Sequence, residues 1–363
     1  MAIEKNKTYG LDDIELIPAI ISDIKHREEC DVYNEDNMLP IFTAPMSSVV
    51  SVENYDLFNN CGINTIIPRN IDLEIRISHI NKTFVTMSLS EFSAYIESLQ
   101  ETFSLEETYY ICIDIANGHM KKLLEECSRA KTLFGGNLII MAGNIANPLT
   151  YLEYAKCGID FIRVGIGGGS ACITSVQSGV HYGQATLINE VAKLKEKVIN
   201  DWDTHQYKSI PYIVADGGFN SYGKIVKALA LGADYVMIGK LFAECEEACG
   251  DIFTQHKAHD TWTEEDKKNL IWDDTSGTYY IKLRAYYGMS TKRAQKEFGS
   301  TKLKTSEGSE FYVYVKYTLP QLVDNIVSYL KTAMSYTNSH NLEEFKNTQY
   351  NISSINEFRA YDK

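Results

Sequence analysis

Between Leu39 and Ile238 the chain repeats one unit eight times: a short β-rich apolar run, a loop, then an amphipathic stretch. The runs are Ile41–Ala44, Asn64–Ile67, Phe84–Ser88, Tyr110–Asp114, Leu138–Ala142, Phe161–Val164, Tyr212–Ala215 and Tyr235–Ile238. Between them, segments such as Ser90–Gln100, Met120–Phe134, Pro148–Cys157, Thr186–Val198 and Ser221–Leu231 space apolar residues three and four apart, as one face of a helix requires. Three strands follow the turn sequences CGIN at 61, CGID at 157 and LGAD at 231, where glycine can end a helix in the left-handed conformation. Strands joined by crossover helices run parallel, and eight units predict an α/β fold closed into a (β/α)8 TIM barrel. An open doubly wound sheet is the alternative.

A chain of 363 residues is long enough for one such barrel with additions. Residues 1–363 are therefore expected as a single barrel domain, with an insertion or lid at 250–286 after strand eight and a flap at 290–310. Both stretches are long for connectors, and long connectors in compact folds are often functional. The net charge of −13, with lysines and arginines dispersed among the acids, argues against nucleic acid or an anionic membrane as partner. A small phosphorylated substrate needs only a local nest and one or two cations. No apolar run reaches the roughly 20 residues of a spanning helix, and MAIEKNKTYG is not a signal peptide, so a cytoplasmic location is expected. The eight cysteines are irregularly spaced, without the partners of a zinc site, and reduced thiols are the default reading.

In a barrel the loops after the strands converge on one face, where chemistry gathers. The loop after strand six stands out, reading GIGGGSACITSVQSGVHYGQ from Gly165 to Gln184. A glycine run lets backbone N–H groups wrap an anion or carbonyls a cation. Cys172 beside it is the nucleophile candidate, since a thiol near such a nest can be activated. Three places suit phosphate: Gly168/Gly169/Ser170, Gly217/Gly218 and Gly239/Lys240. Asp216 is then placed for ribose hydroxyls. Asp114 closes a buried strand and must find a donor or a ligand. Asn117 and Asn144 suit an amide or ring edge, and His119 reads as a helix-start residue rather than a base. Met46 and Met289 are either core fillers or soft surfaces for a flat ring.

Assembled in this order, the residues resemble the family of inosine monophosphate dehydrogenases and guanosine monophosphate reductases over nearly the whole chain. The family's cysteine loop runs close to GxGPGSxCTTR and GVGYPQ; ADGG at 215–218, GKLFA at 239–243 and YYGMS at 286–290 are similar to its ribose- and phosphate-binding pieces. The resemblance implies a (β/α)8 barrel, usually a homotetramer, acting on a purine nucleotide monophosphate. DIANGH at 114–119, MAGN at 141–144 and TSEG at 305–308 resemble the reductase more than the dehydrogenase. Between Arg69 and Phe84 there is no room for the paired regulatory (CBS) domain that the dehydrogenase usually carries.

The activity so implied is NADPH-dependent reductive deamination of guanosine monophosphate to inosine monophosphate, with Cys172 bonded to purine C2 and Thr174 with Glu307 relaying protons. Met46, Ser170, Asp216, Gly217, Gly218, Gly239, Lys240, Tyr287, Gly288 and Met289 are assigned to the substrate. Asp114, Asn117, Gly118 and Asn144 are assigned to the cofactor. The backbone carbonyls of Gly167, Gly169 and Cys172 are assigned to a monovalent cation such as K+. The alternatives are NAD-dependent oxidation of inosine monophosphate, a divergent member acting on another purine nucleotide, and a non-catalytic nucleotide-binding barrel. The chain departs from the family pattern at Gly168, Ile173, Ser175 and Ser47, at Pro68-Arg69, and in the 250–286 insert.

Overall fold

The computed structural model describes residues 7–256, 261–288, 290–297, 305 and 308–353. The eight apolar runs form β1 (Ile41–Thr43), β2 (Ile66–Ile67), β3 (Phe84–Met87), β4 (Tyr109–Asp114), β5 (Leu138–Ile145), β6 (Phe161–Val164), β7 (Tyr212–Asp216) and β8 (Tyr235–Ile238). They hydrogen-bond in the order β1-β8-β7-β6-β5-β4-β3-β2, each neighbouring pair parallel. A parallel bridge between Phe42 and Asn64 brings β1 against the residues just before β2. The fold is the expected (β/α)8 barrel. Outside the strands run α1 (Tyr55–Asn60), α2 (Leu73–Ile77), α3 (Leu89–Thr102), α4 (Lys121–Phe134), α5 (Thr150–Cys157), α6 (Gln184–Asn200), α7 (Tyr222–Ala230) and α8 (Leu319–Tyr336). β5 extends past the expected run because a bulge carries the ladder through Gly143 and Asn144, residues that read as a turn.

Local chemistry explains why the units alternate so regularly. Gly62, Gly158 and Gly232 turn the chain at φ of 78°, 82° and 102°, a region costly for side-chain-bearing residues. Two of these turns end in an aspartate that reaches the preceding strand. Asp160 accepts the Ile140 N–H at 2.7 Å and pairs with Lys131, while Asp234 accepts the Ile213 N–H at 2.7 Å and pairs with Lys195 and Lys346. Burial pushes the Asp160 carboxyl up despite its one lysine. At Asp234 burial acts the same way, but two lysines hold the carboxyl below its usual range.

The barrel has an apolar floor and a polar rim. At the start of the strands Phe42, Phe84 and Phe161 meet edge to face with ring centroids 5.4–5.9 Å apart, and Tyr110 and Tyr235 pack against them. The strands' far ends carry Asp114, Asn144, Arg163 and Asp216 instead. The charged and amide side chains are thereby gathered at one end.

The insertion after β8 and the segment after the flap join in one sheet, a relation not visible in the sequence. Here β9 (Ile252–His256), β10 (Ile271–Asp273), β11 (Thr278–Tyr287) and β12 (Glu310–Tyr314) pair antiparallel, with β11 bonded to all three others. Gly277, at φ 65°, sits in the expected hairpin between β10 and β11. Arg284 of β11 fastens the sheet to the barrel. Its buried guanidinium donates to the carbonyls of Ala243 at 2.7 Å, Cys245 at 2.5 Å, Glu246 at 3.1 Å and Gly250 at 3.2 Å. Before the first barrel strand, Ile14–Leu16 pairs antiparallel with Tyr350–Ile352. Strands of three residues leave no readable period.

Candidate active site

The rim is organised by a residue not singled out from the sequence. Arg163, third in the run FIRV, is 7% exposed and points its guanidinium at two carboxylates. One nitrogen lies 2.5 Å from Asp114 Oδ1 at the end of β4; the other terminal nitrogen lies 2.8 Å from Asp216 Oδ2 at the end of β7. Asn144 Nδ2 donates to the same Asp216 oxygen at 2.7 Å and to the Gly165 carbonyl at 2.8 Å. Burial would raise the Asp114 carboxyl, yet Arg163 and Arg69 hold it below the ordinary carboxylate range. Burial works against the Arg163 cation as well, but the two aspartates overcome it and push its pKa well up. Both ions are therefore fixed in their charged forms.

Cys172 stands beside this network at the mouth of a cavity of about 680 Å³. Its Sγ lies 3.3 Å from Thr174 Oγ1, and the thiol is half-buried. Two frames hold the loop. On one side Gly217, at φ 96°, lets the β7 loop pack backbone to backbone: a Cβ there would meet Gly169 N at 2.9 Å and Gly168 C at 3.1 Å. On the other, Cys172 bridges Gly308, the Ser309 N–H donates to Ala171 O at 2.8 Å, and the Gly288 N–H donates to Ser309 O at 3.3 Å. The glycines were expected to permit close approach to a ligand. Here they also permit close approach of the two loops to each other.

Of the expected residues, Met46, Asp114, Asn144, Gly167, Gly169, Cys172, Thr174, Asp216, Gly217 and Gly288 line this one cavity. Ser170 is exposed at the turn before Cys172. Gly218 follows Gly217 in the same close packing, where a Cβ would lie 3.2 Å from Gly168 O. Gly239 leaves room for two neighbours, since a Cβ would sit 2.7 Å from Tyr286 Oη and 3.0 Å from Met46 Sδ. Lys240 turns to the buried Glu244 at 3.7 Å, which Lys316 also approaches at 3.6 Å. The exposed Asn117 accepts the His119 N–H at 3.1 Å. Gly118 has both backbone groups engaged, its N–H with Asn144 O and its carbonyl with Tyr154 Oη. Met289 and Glu307 lie outside the described residues.

Three placements differ from expectation or were missed. On β11 side chains alternate, so Tyr286 rather than Tyr287 forms the cavity wall. Tyr286 Oη donates to Met46 Sδ at 3.4 Å, and burial, with Asp216 nearby, pushes its pKa up, keeping it a neutral donor. Tyr287 is buried on the opposite side, its hydroxyl 3.0 Å from Ser47 and its ring under the Arg293 guanidinium at 4.4 Å. Gln184, the first residue of α6, is buried and donates to the Val164 carbonyl at 2.9 Å. His119 lies just before the start of α4, where a helix-start residue was expected. Its Nε2 accepts the Ala146 N–H at 3.1 Å, which leaves Nδ1 to donate to Thr150 Oγ1 at 2.9 Å, and burial lowers its pKa.

Two of the three carbonyls expected to hold a monovalent cation accept hydrogen bonds from the chain itself. Gly167 O accepts from Ser175 Oγ at 3.1 Å, and Gly169 O accepts from the Cys172 N–H at 2.9 Å. Among the described residues no group of three or more His, Cys, Asp or Glu side chains could hold a metal ion.

Comparison with known proteins agrees with this architecture. The family model "IMP dehydrogenase / GMP reductase domain" matches residues 8–358. The chain belongs to that family. A GMP reductase of Exiguobacterium sp. is 28% identical over 359 residues, covering 95% of each chain. GMP reductases of Helicobacter pylori and Staphylococcus carnosus are each 27% identical, covering 95% of this chain and 96% of theirs. Within this family member, the signal that could have exposed Arg163 was a lone cation inside an otherwise apolar strand. Such a charge is buried only when paired. Among the described residues no helix is long and apolar enough to cross a membrane.

Proposed function

We propose that this chain is an oxidoreductase converting guanosine monophosphate to inosine monophosphate and ammonia with NADPH, through a covalent Cys172–purine intermediate. The observation that carries the reading is the Cys172–Thr174 pair, 3.3 Å apart, in the cavity that also holds Asp114 and Asp216. The names of the relatives support guanosine monophosphate as substrate.

The nucleotide would lie with its ribose hydroxyls toward Asp216, whose Oδ2 is held by Arg163 and Asn144. Met46, supported by Tyr286, offers a soft apolar surface to the purine. The phosphate would sit at the N–H groups of the 168–170 and 217–218 turns. The Cys172 thiolate attacks C2, the exocyclic C2–N bond breaks, and the amine leaves as ammonia after gaining protons relayed through Thr174 and Glu307. The residues around Cys172 fit a nicotinamide: Asp114 and Asn144 border the same cavity. When bound there, a reduced nicotinamide would supply the hydride for C2. Cys172 then departs as thiolate, leaving inosine monophosphate. The residues' contribution is to place C2, exclude alternative orientations and move protons.

Ile20 and Ile21, 101% and 81% exposed, follow Ala19, whose N–H donates to the carbonyl of the exposed Tyr336, and such a patch supports association between copies; a homotetramer in the cytoplasm is the form proposed. The test of function is to follow reduced-nicotinamide absorbance in two mixtures, NADPH with guanosine monophosphate and NAD with inosine monophosphate. Oxidation in the first mixture is expected. Reduction in the second alone would replace this reading with the dehydrogenase.

A further inference from the structure

The segment between the glycines and α6 does more than carry Cys172. Three carbonyls of the loop, Gly167 and Gly169 of the expected cation set and the neighbouring Ile166, each face a donor from further along the chain. Ile166 O lies 2.9 Å from His181 Nδ1, Gly167 O lies 3.1 Å from Ser175 Oγ, and Gly169 O lies 2.9 Å from the Cys172 nitrogen. Ser175 is fixed for this contact by the short helix Thr174–Ser178, which ends at Gly179 with φ 71°. The fit is tight: a Cβ on Gly167 would fall 2.4 Å from Ser175 Cβ and 2.7 Å from its Oγ. The space beside that glycine is filled by serine.

A monovalent cation is held where several oxygens together replace its hydration shell. A neutral hydroxyl or amide can satisfy the same oxygens without any ion, at the strength of an ordinary hydrogen bond. We infer that Ser175, with the Cys172 amide, is the clasp of the Cys172 loop, and that this chain positions its nucleophile without a monovalent cation. Ser175 stands where the family pattern has arginine, so the clasp is a property of this sequence. Ser175 is a positioning residue, acting through Gly167 on the geometry of Cys172. For its catalytic consequence the inference rests on the proposed reductase reading, but the loop itself can be examined without turnover.

The experiment measures alkylation of Cys172 by iodoacetamide in the full chain, read by mass spectrometry of the Cys172 peptide. It is run in potassium chloride and in N-methylglucamine chloride at equal ionic strength. The unaltered chain is expected to react at the same rate in both, within about twofold. Ser175→Ala is expected to react about fivefold faster in N-methylglucamine, the equivalent of one lost hydrogen bond. Potassium slowing the unaltered chain by more than about fivefold would overturn the inference, because an ion would then be the clasp. A Ser175→Ala rate equal to that of the unaltered chain would overturn it too. Turnover of guanosine monophosphate with NADPH, measured in the same two salts, is expected to be equal. Absence of turnover with either nucleotide and cofactor pair would refute the reductase and dehydrogenase readings while leaving the alkylation result to decide the clasp.

Discussion

Replacing Arg163 by methionine removes the charge at the centre of the rim while keeping much of the side chain's volume. Asp114 and Asp216 then remain close together, 21% and 14% exposed at their side chains, with their shared cation gone. Removing one partner of a buried ion pair costs about 3–5 kcal/mol. Water reaching the two carboxylates from the cavity should keep the loss near the lower end, about 3 kcal/mol at pH 7. The pH dependence is more diagnostic. In the unaltered chain Asp114 titrates below its unfolded value, so its contribution is present above about pH 4 and is lost as pH falls through the folded value. Without Arg163, burial dominates and the folded value moves above the unfolded one. The variant then relieves its penalty by taking up a proton as pH falls. Urea unfolding of both proteins between pH 4.5 and 8 should therefore show a gap that is widest near neutrality and narrows in acid. A gap under about 1 kcal/mol at pH 7, or one independent of pH, would refute the account of Arg163 as the ion holding both aspartates.

Gly217→Ala places a Cβ 2.9 Å from Gly169 N at φ 96°, and should destabilise the fold by roughly 1–3 kcal/mol while slowing turnover; calorimetry with unchanged melting would contradict the loop packing. Thr174→Val keeps the shape but removes the hydroxyl 3.3 Å from Cys172, and should lower kcat by about 10²-fold or more with little change in nucleotide affinity by calorimetric titration. Burial lowers the His119 pKa, so the unfolded chain takes up its proton first; stability should fall as pH drops below about 6.5, and His119→Gln should flatten that part of the melting-temperature profile.

Much of the barrel was legible because periodicity is a local property. A run such as Phe161–Val164 followed by an amphipathic stretch specifies a strand and helix wherever they end up. The cysteine loop was legible for a different reason: a glycine run beside a thiol breaks every regular pattern. Arg163 was missed because its meaning depends on Asp114 and Asp216, residues brought near it only by closure of the barrel. Tyr286 was passed over in favour of Tyr287 because neighbouring tyrosines look alike in sequence, while the pleat of β11 sends Tyr286 to the cavity wall and Tyr287 away from it. The joining of β12 to the insertion was invisible, since Glu310–Tyr314 has no local mark of its partner.

The bridge between Cys172 and Gly308 makes the nucleophile's segment a short extra rung on a sheet that the barrel does not build. Most of the rim is positioned by the closure of eight strands and cannot drift without opening them. The thiol has a second coordinate, set by β11 and β12 and transmitted through Ala171, Gly288 and Ser309. A chimera that exchanges residues 250–314 for a relative's would therefore leave the eight parallel strands in place while changing both where the sulfur sits and the Tyr286–Gly288 wall of the cavity beside it.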